Sequence, residues 1–351
     1  MQSSNGSETR AARARGLSAL WIVLTLGLGA MASKAEAAPF AYVANRNPYG
    51  TISVIDVATN TVVATVPVGV GPIFVAVSPD GKHAYVTNQD GTSVSVIDAT
   101  TNTVAATVTV GGSPTGIAIA PDGKHAYVTN VGPVPGTVSV IDTTSKTVVA
   151  TVPVGNDPTA IAVTLDGKHA YVTNASYDNT VSVIDTASNT VVATVPVGLT
   201  PGAVAITPDG KQAYVANSDD NPSTVSVIDT ATNSVTDNIA VGGSAYGVAI
   251  TPDGKHVYVT NYCCFGPAPN TVSVIDTASN TVVATVPVGR APVGVAITPD
   301  GKYAYVTNSN FGSNPGTVSV IDTATKAVVG NPIPTNGAWG VGIMPDTPTG
   351  P

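Results

Sequence analysis

Glutamate is missing from this chain after residue 37: both copies, Glu8 and Glu36, lie in the first segment, and every later acidic residue is aspartate. Histidine is nearly as scarce. Its four copies, His83, His125, His169 and His256, all occupy the slot after Asp-Gly-Lys, and residues sharing one slot of a repeat lie on a ring, too far apart to converge on a metal. Paired-carboxylate and Ser-His-Asp chemistry therefore have almost nothing to be built from. Cysteine is limited to the adjacent pair Cys263 and Cys264. Two are too few for an iron-sulfur site, and no Cys-x-x-Cys-His is present to attach a haem. Charged residues make up only 10% of the chain and aromatics 5%, and no window shows helical periodicity.

Long apolar runs are also lacking, with one exception at residues 17–31, which follow Arg10, Arg13 and Arg15 and precede Ala35-Glu36-Ala37. This is the pattern of a secretory signal peptide over residues 1–37, cut after Ala37. The run is shorter than the roughly 20 residues that span a bilayer, so the expectation is a cleaved leader and no transmembrane segment in the mature chain. No twin arginine precedes the run, and no cysteine follows it as a lipid attachment point. The protein is expected in the periplasm, outside the cell or at its surface, as a monomer. Beyond residue 37 there are 20 Asp against 8 Lys and 2 Arg, a formal charge of −10. Such a surface repels phosphate backbones, so nucleic acid is excluded as a partner.

What the chain has in quantity is one phrase. Pro-Asp-Gly-Lys-His-Ala-Tyr-Val-Thr-Asn stands complete at residues 79–88, and its Tyr-Val-Thr/Ala-Asn core recurs at Tyr42, Tyr85, Tyr127, Tyr171, Tyr214, Tyr258 and Tyr305. A period in the low forties points to solenoids, propellers or arrays. Each unit holds four short segments rich in Val, Ile, Thr and Tyr, mostly alternating with period two. Asp-Gly supplies the positive φ angles of a tight turn between the first and second. Thr-Ala-Thr-Asn and its variants make a polar turn between the third and fourth. A four-stranded antiparallel meander of this length is a propeller blade.

Counting then fixes closure. The first segment is absent before Tyr42, yet a lone copy, Gly340-Val-Gly-Ile-Met-Pro-Asp346, stands near the C-terminus. It is expected to supply the innermost strand of blade 1 and so remove an open edge. The fold class is all-β: a seven-bladed β-propeller of four-stranded antiparallel blades, one domain over residues 38–351, since repetition from residue 40 to 346 leaves no linker. The repeated phrase, with Thr-Val-Ser-Val-Ile-Asp after it, resembles the YVTN-family β-propeller repeat, found in bacterial secreted and archaeal surface-layer proteins. The resemblance implies a seven-bladed propeller, often labelled lactonase-like, and fixes no single function. Related propeller lactonases and lyases use Glu or His, and no matching positions occur here.

Function is sought where the repeat breaks. The loops between second and third strands vary, and they share a rim with the blade-to-blade connections. Off-pattern aromatics gather on blades 6, 7, 1 and 2, along with the only two arginines after residue 37. The candidate binding residues are Arg46, Phe74, Tyr246, Tyr262, Arg290, Phe311 and Trp339, because arginine and aromatic side chains dominate recognition surfaces and variable loops on rigid scaffolds carry binding. Packing of these rings into the channel mouth is the alternative. The leading expectation is a non-catalytic exported scaffold recognising a protein, peptide, glycan or small ligand at the cell envelope, with no cofactor. The competing one is a lactonase-like hydrolase using Asp and Asn of this rim, Asp178 and Asp219 among them, with a divalent metal such as calcium. Asp219-Asp220-Asn221 offers oxygen ligands but lacks the spacing of a calcium loop. Cys263 and Cys264 permit a strained vicinal disulfide in an oxidising compartment, the alternative being two thiols in a loop.

Overall fold

The computed structural model describes residues 39–46, 50–132, 134–218, 222–262, 270–310 and 315–345. The expected leader, Cys263, Cys264, Phe311, Asp219 and Asp220 lie outside the described residues. Among those described, seven antiparallel sheets of four strands form the blades. Blade 1 combines Ala338–Ile343 with Phe40–Asn45, Thr51–Asp56 and Thr61–Pro67 in that order. The ring is thus closed one strand to three, as the lone C-terminal segment implies. No helix among the described residues is long and apolar enough to cross a membrane.

The blades are held by what lies between them. Each hydrophobic cluster joins two neighbouring blades: Tyr42, Val54 and Ile52 of blade 1 pack with Val75, Val86 and Ile97 of blade 2, and the last layer joins Tyr305 and Val318 of blade 7 to Val43 and Ile55 of blade 1. Burying one such aliphatic side chain contributes about 1.5–3 kcal/mol, so most of the stabilisation sits at the seams.

The Tyr-Val-Thr-Asn phrase divides its work among those seams. The tyrosine ring is buried, and in blades 1, 4, 5 and 7 its hydroxyl donates to the asparagine of the next blade's outer turn, Tyr171 to Asn233 Oδ1 at 2.8 Å and Tyr214 to Asn280 Oδ1 at 2.9 Å for example. Valine fills the core. In blades 4, 6 and 7 the threonine hydroxyl (Thr173, Thr260, Thr307) accepts from its own blade's innermost strand and donates to the next blade: Gly247 N–H reaches Thr260 Oγ1 at 2.7 Å, and Thr260 reaches the Val293 carbonyl at 2.9 Å. The asparagine amide ties its own third strand, as when Asn45 Nδ2 donates to Ser53 Oγ at 2.9 Å. Blades 1 and 5 carry Ala44 and Ala216 in the threonine slot and lack that seam bond.

Turn chemistry follows the sequence with one difference. In the Pro-Asp-Gly-Lys turns only the glycine takes positive φ, Gly123 at 71° and Gly254 at 72° for example. The aspartate instead accepts a backbone bond, Lys82 N–H to Asp80 Oδ1 at 3.0 Å. These are four-residue turns, closed by Ser78 N–H to the His83 carbonyl at 2.8 Å, because a side chain that bonds forward favours an Asx geometry over a two-residue hairpin. The Val-Ile-Asp carboxylates cap the outer turns in the same way, Asp98 accepting from Thr100 and Thr101 N–H at 2.8 and 2.9 Å.

Candidate functional site

The innermost strands leave a narrow axial channel. At one equivalent position they carry Phe74, Gly116, Ala160, Ala203, Gly247, Gly294 and Gly340, and small size is enforced by the approach of neighbouring backbones. A Cβ at Gly340 would stand 2.2 Å from the Ile73 carbonyl oxygen, and one at Gly247 2.3 Å from that of Val293. Phe74 alone places a large side chain in this ring.

Two cavities lie along the axis. The inner one, about 160 Å³, is lined by innermost strands of all seven blades. The outer one, about 140 Å³, is lined by Arg46, Gln89, Ala175 and Ser218 together with Ile73, Thr115, Thr159 and Gly202. The first four follow directly on the second strands, so this cavity opens on the variable rim. Phe74, Ala203, Tyr246 and Trp339 line both cavities and form the partition between mouth and channel.

The mouth has two unlike walls. On the side of blades 3 and 4, the Thr115 and Thr159 hydroxyls are committed to the carbonyls of Pro158 at 2.6 Å and Pro201 at 2.9 Å. On the opposite side Arg46 stands 5.2 Å from the centre of the Trp339 ring, within cation–π range. The Arg46 guanidinium also reaches Asp90 Oδ1 at 3.4 Å. Arg46 and Trp339 come from opposite ends of the chain. The clasp of blade 1 brings them together: Asn45 pairs with Ala338, and Arg46 N–H donates to the Gly337 carbonyl at 3.0 Å. Gly337 takes a φ of 105°, which a side chain would resist. The Trp339 carbonyl accepts from the Thr307 hydroxyl, which pins this strand to blade 7.

Burial raises the pKa of the Tyr246 phenol above its ordinary value, against the opposite pull of the Arg46 charge and the Trp339 indole. It therefore stays protonated at neutral pH. The Trp339 Nε1–H is buried beside it but has no acceptor at bonding geometry, and Gln89 Oε1 is likewise buried without a donor.

Of the residues picked from the sequence, Arg46, Phe74, Tyr246 and Trp339 meet at this mouth. Arg290 is exposed and Tyr262 ends a strand of blade 6, His256–Tyr262; neither lines the cavities. Asp90 and Gln89 were missed as site residues. They begin one of the shortest rim loops, and length was the signal followed. Asp178 is spoken for, accepting from Asn156 N–H at 2.6 Å and Asn156 Nδ2 at 3.2 Å. Among the described residues no three His, Cys, Asp or Glu side chains come together in a set that could hold a metal. The histidines begin second strands at the other rim, where grooves of about 660 and 530 Å³ separate blades 2 and 3 and blades 4 and 5. Those grooves are larger but open, and they are built from slots that recur around the ring. The aromatic wall of the mouth is built from residues that do not recur, while Thr115 and Thr159 opposite share one slot.

The family model for the YNCE-like beta-propeller matches residues 20–123, and that for the Cytochrome D1 heme domain matches residues 84–198 and 133–246. No curated protein matches the chain. Among solved structures, hydrazine synthase of Kuenenia stuttgartiensis is 28% identical with a TM-score of 0.70, over 79% of this chain and 90% of that one. A functionally unknown protein of Desulfotomaculum acetoxidans is 19% identical with a TM-score of 0.73, over 88% of this chain and 99% of that one. The dihydro-heme d1 dehydrogenase NirN in complex with DHE is 18% identical with a TM-score of 0.62, over 86% of this chain and 74% of that one. At 19% and 18% identity the last two likenesses concern the fold alone.

Proposed function

We propose that this chain, a seven-bladed β-propeller repeat protein, is a non-catalytic binding scaffold that takes its ligand at the rim mouth of its axial channel. One observation carries the reading: the non-repeating residues Arg46, Phe74, Tyr246 and Trp339 line one cavity of about 140 Å³. Concave sites with an apolar wall and a few convergent polar groups are the usual form of a ligand pocket. The scarcity of general acids and bases argues for binding over turnover. An exported setting, argued from residues 1–37, would give such a scaffold envelope ligands to meet.

The likeness to a heme domain raises a tetrapyrrole as a second occupant, and the residues here do not fit one. The inner cavity is about 160 Å³, against the roughly 300–1,000 Å³ of pockets that enclose larger ligands. Haem iron is held by His, Met, Cys or Tyr. Of these, among the described residues, only Tyr246 lines either cavity, and its phenol resists the deprotonation that ligation needs.

The test is thermal unfolding across a ligand library. A ligand at 100 times its Kd stabilises the folded state by about 2.7 kcal/mol, so binders raise the midpoint. The shift is expected to vanish when Arg46 and Trp339 are both replaced by Ala. A shift that survives in the double variant refutes this site.

A further inference from the structure

The mouth has a chemical bias that narrows the ligand class, and the narrowing rests on the binding reading above. Its polar groups at the aromatic wall are donors. Arg46 carries a permanent positive charge, Trp339 presents a buried Nε1–H without an acceptor, and Tyr246 keeps its proton. The hydroxyls opposite already donate to carbonyls. Gln89 Oε1 is the one buried side-chain acceptor at the mouth without a donor among the described residues, so a ligand that meets the aromatic wall must bring acceptors.

It must also bring negative charge, and only one unit of it. Arg46 is the one cationic side chain lining the mouth among the described residues. Its present partner is Asp90, at 3.4 Å with half of that side chain exposed, an arrangement worth little in water. A carboxylate meeting the guanidinium in a two-point contact is a stronger partner. A doubly charged phosphate would lack a second cation and would meet the field of a strongly acidic protein.

Size sets the remainder. The two cavities, about 140 and 160 Å³, each compare with a void of about 150 Å³ that accepts benzene. The rings of Phe74, Tyr246 and Trp339 stand at the partition between them. We propose that the mouth binds a small monocarboxylate with a flat or short apolar body, its carboxylate displacing Asp90 from Arg46 and meeting the Trp339 and Tyr246 donors, its body lying among the three rings.

Benzoate, benzamide and benzylammonium have nearly the same shape and differ in charge, so they are the probes. Each is titrated into the full chain by calorimetry, with tryptophan emission followed in parallel, the Trp339→Phe variant identifying the change that belongs to that ring. Benzoate is expected to bind at least tenfold more tightly than the other two. Arg46→Gln should weaken benzoate at least tenfold and leave benzamide unchanged, while Asp90→Asn, which removes the competing carboxylate, should tighten benzoate severalfold. Circular dichroism and an unchanged Tm show that each variant is folded. Equal affinity for benzoate and benzamide, or indifference of benzoate to Arg46→Gln, overturns the carboxylate inference but leaves a binding mouth. No saturable signal from benzoate in the folded parent also overturns it. The binding reading falls only by its own library test.

Discussion

Thr260→Val keeps the shape of a fully buried side chain and removes only its hydroxyl, so it isolates the seam bond between blades 6 and 7. Two backbone groups lose their partner at once: the Gly247 N–H, now 2.7 Å from Thr260 Oγ1, and the Val293 carbonyl, now 2.9 Å from it. The residue is 0% exposed, so water cannot replace the hydroxyl. A buried polar group left unpaired costs about 1–3 kcal/mol. Two of them, partly relieved by movement of the strands, cost about 3 kcal/mol together. For a domain of this length, 1 kcal/mol shifts the midpoint by about 1.5–2 °C, so the expected fall is about 5 °C by calorimetry. Thr260→Ser keeps the hydroxyl and should lose less than half of that. A valine variant that melts with the parent would show that the hydroxyl carries no seam bond. The matching bonds of Thr173 to the Gly202 carbonyl and of Thr307 to the Trp339 carbonyl would then carry no seam either.

The other predictions concern the ring and its pH limits. Ala216→Thr places the missing hydroxyl in blade 5 and should raise the chemical-denaturation midpoint by the equivalent of about 1 kcal/mol, the worth of one net hydrogen bond; a lower midpoint means the buried slot has no room. Gly340→Ala should destabilise by more than about 3 kcal/mol through overpacking, since its Cβ would lie 2.2 Å from the Ile73 carbonyl oxygen; a variant as stable as the parent in urea refutes that approach. Burial first, then the charges of nearby carboxylates, raises the phenols of Tyr42, Tyr171 and Tyr258 from 10.0 to about 12. The folded state then holds protons the unfolded chain has released, so stability present below pH 10 should be lost between about pH 10 and 12 in a pH series of melts; a flat profile there refutes it. Asp98, Asp142 and Asp185 have pKa values lowered chiefly by backbone bonds from Thr101, Ser145 and Ser188. Their contribution is present above about pH 4, the unfolded value, and is lost as pH falls through the lower folded values. The melting midpoint should therefore decline below pH 4, and an unchanged midpoint at pH 3 argues against it.

The fold was legible because each of its rules is local and repeated. Val, Ile and Thr at period two, a glycine in each inner turn and a count of segments suffice to place strands, blades and clasp. The site was legible only as departures from the repeat. Trp339, Tyr246 and Phe74 stand where other blades carry smaller residues, and Arg46 is one of two arginines after residue 37, so four positions could be picked from sequence. Arg290 and Tyr262 share the composition signal but not the location, because composition along a rim does not say which side chains turn toward the axis. Asp90 was passed over for the opposite reason: its importance lies in a partner 44 positions away, a relation visible only once blades 1 and 2 stand side by side. The seam role of threonine was hidden too. Its alternation with alanine reads as a conservative exchange until Thr260 is seen to bond in two directions.

The clasp has a consequence for how a chain of near-copies finds its partners. Tyr-Val-Thr-Asn strands resemble one another so closely that a newly made innermost strand could align with several of them, and interchangeable partners are what lead repeat chains to swap or slip. Within a blade this is resolved by short connections, which favour the next strand along. Blade 1 has no such help, because its first strand is the last to be made. By then six second strands are already matched on both edges, and Phe40–Asn45 is the one whose inner edge is still open. The final strand fits only the vacancy that a correct tally leaves, so closure acts as a parity check on the whole molecule. A chain that gained or lost one unit would still possess both halves of the clasp, but the wedge angle of every seam would have to change for them to meet.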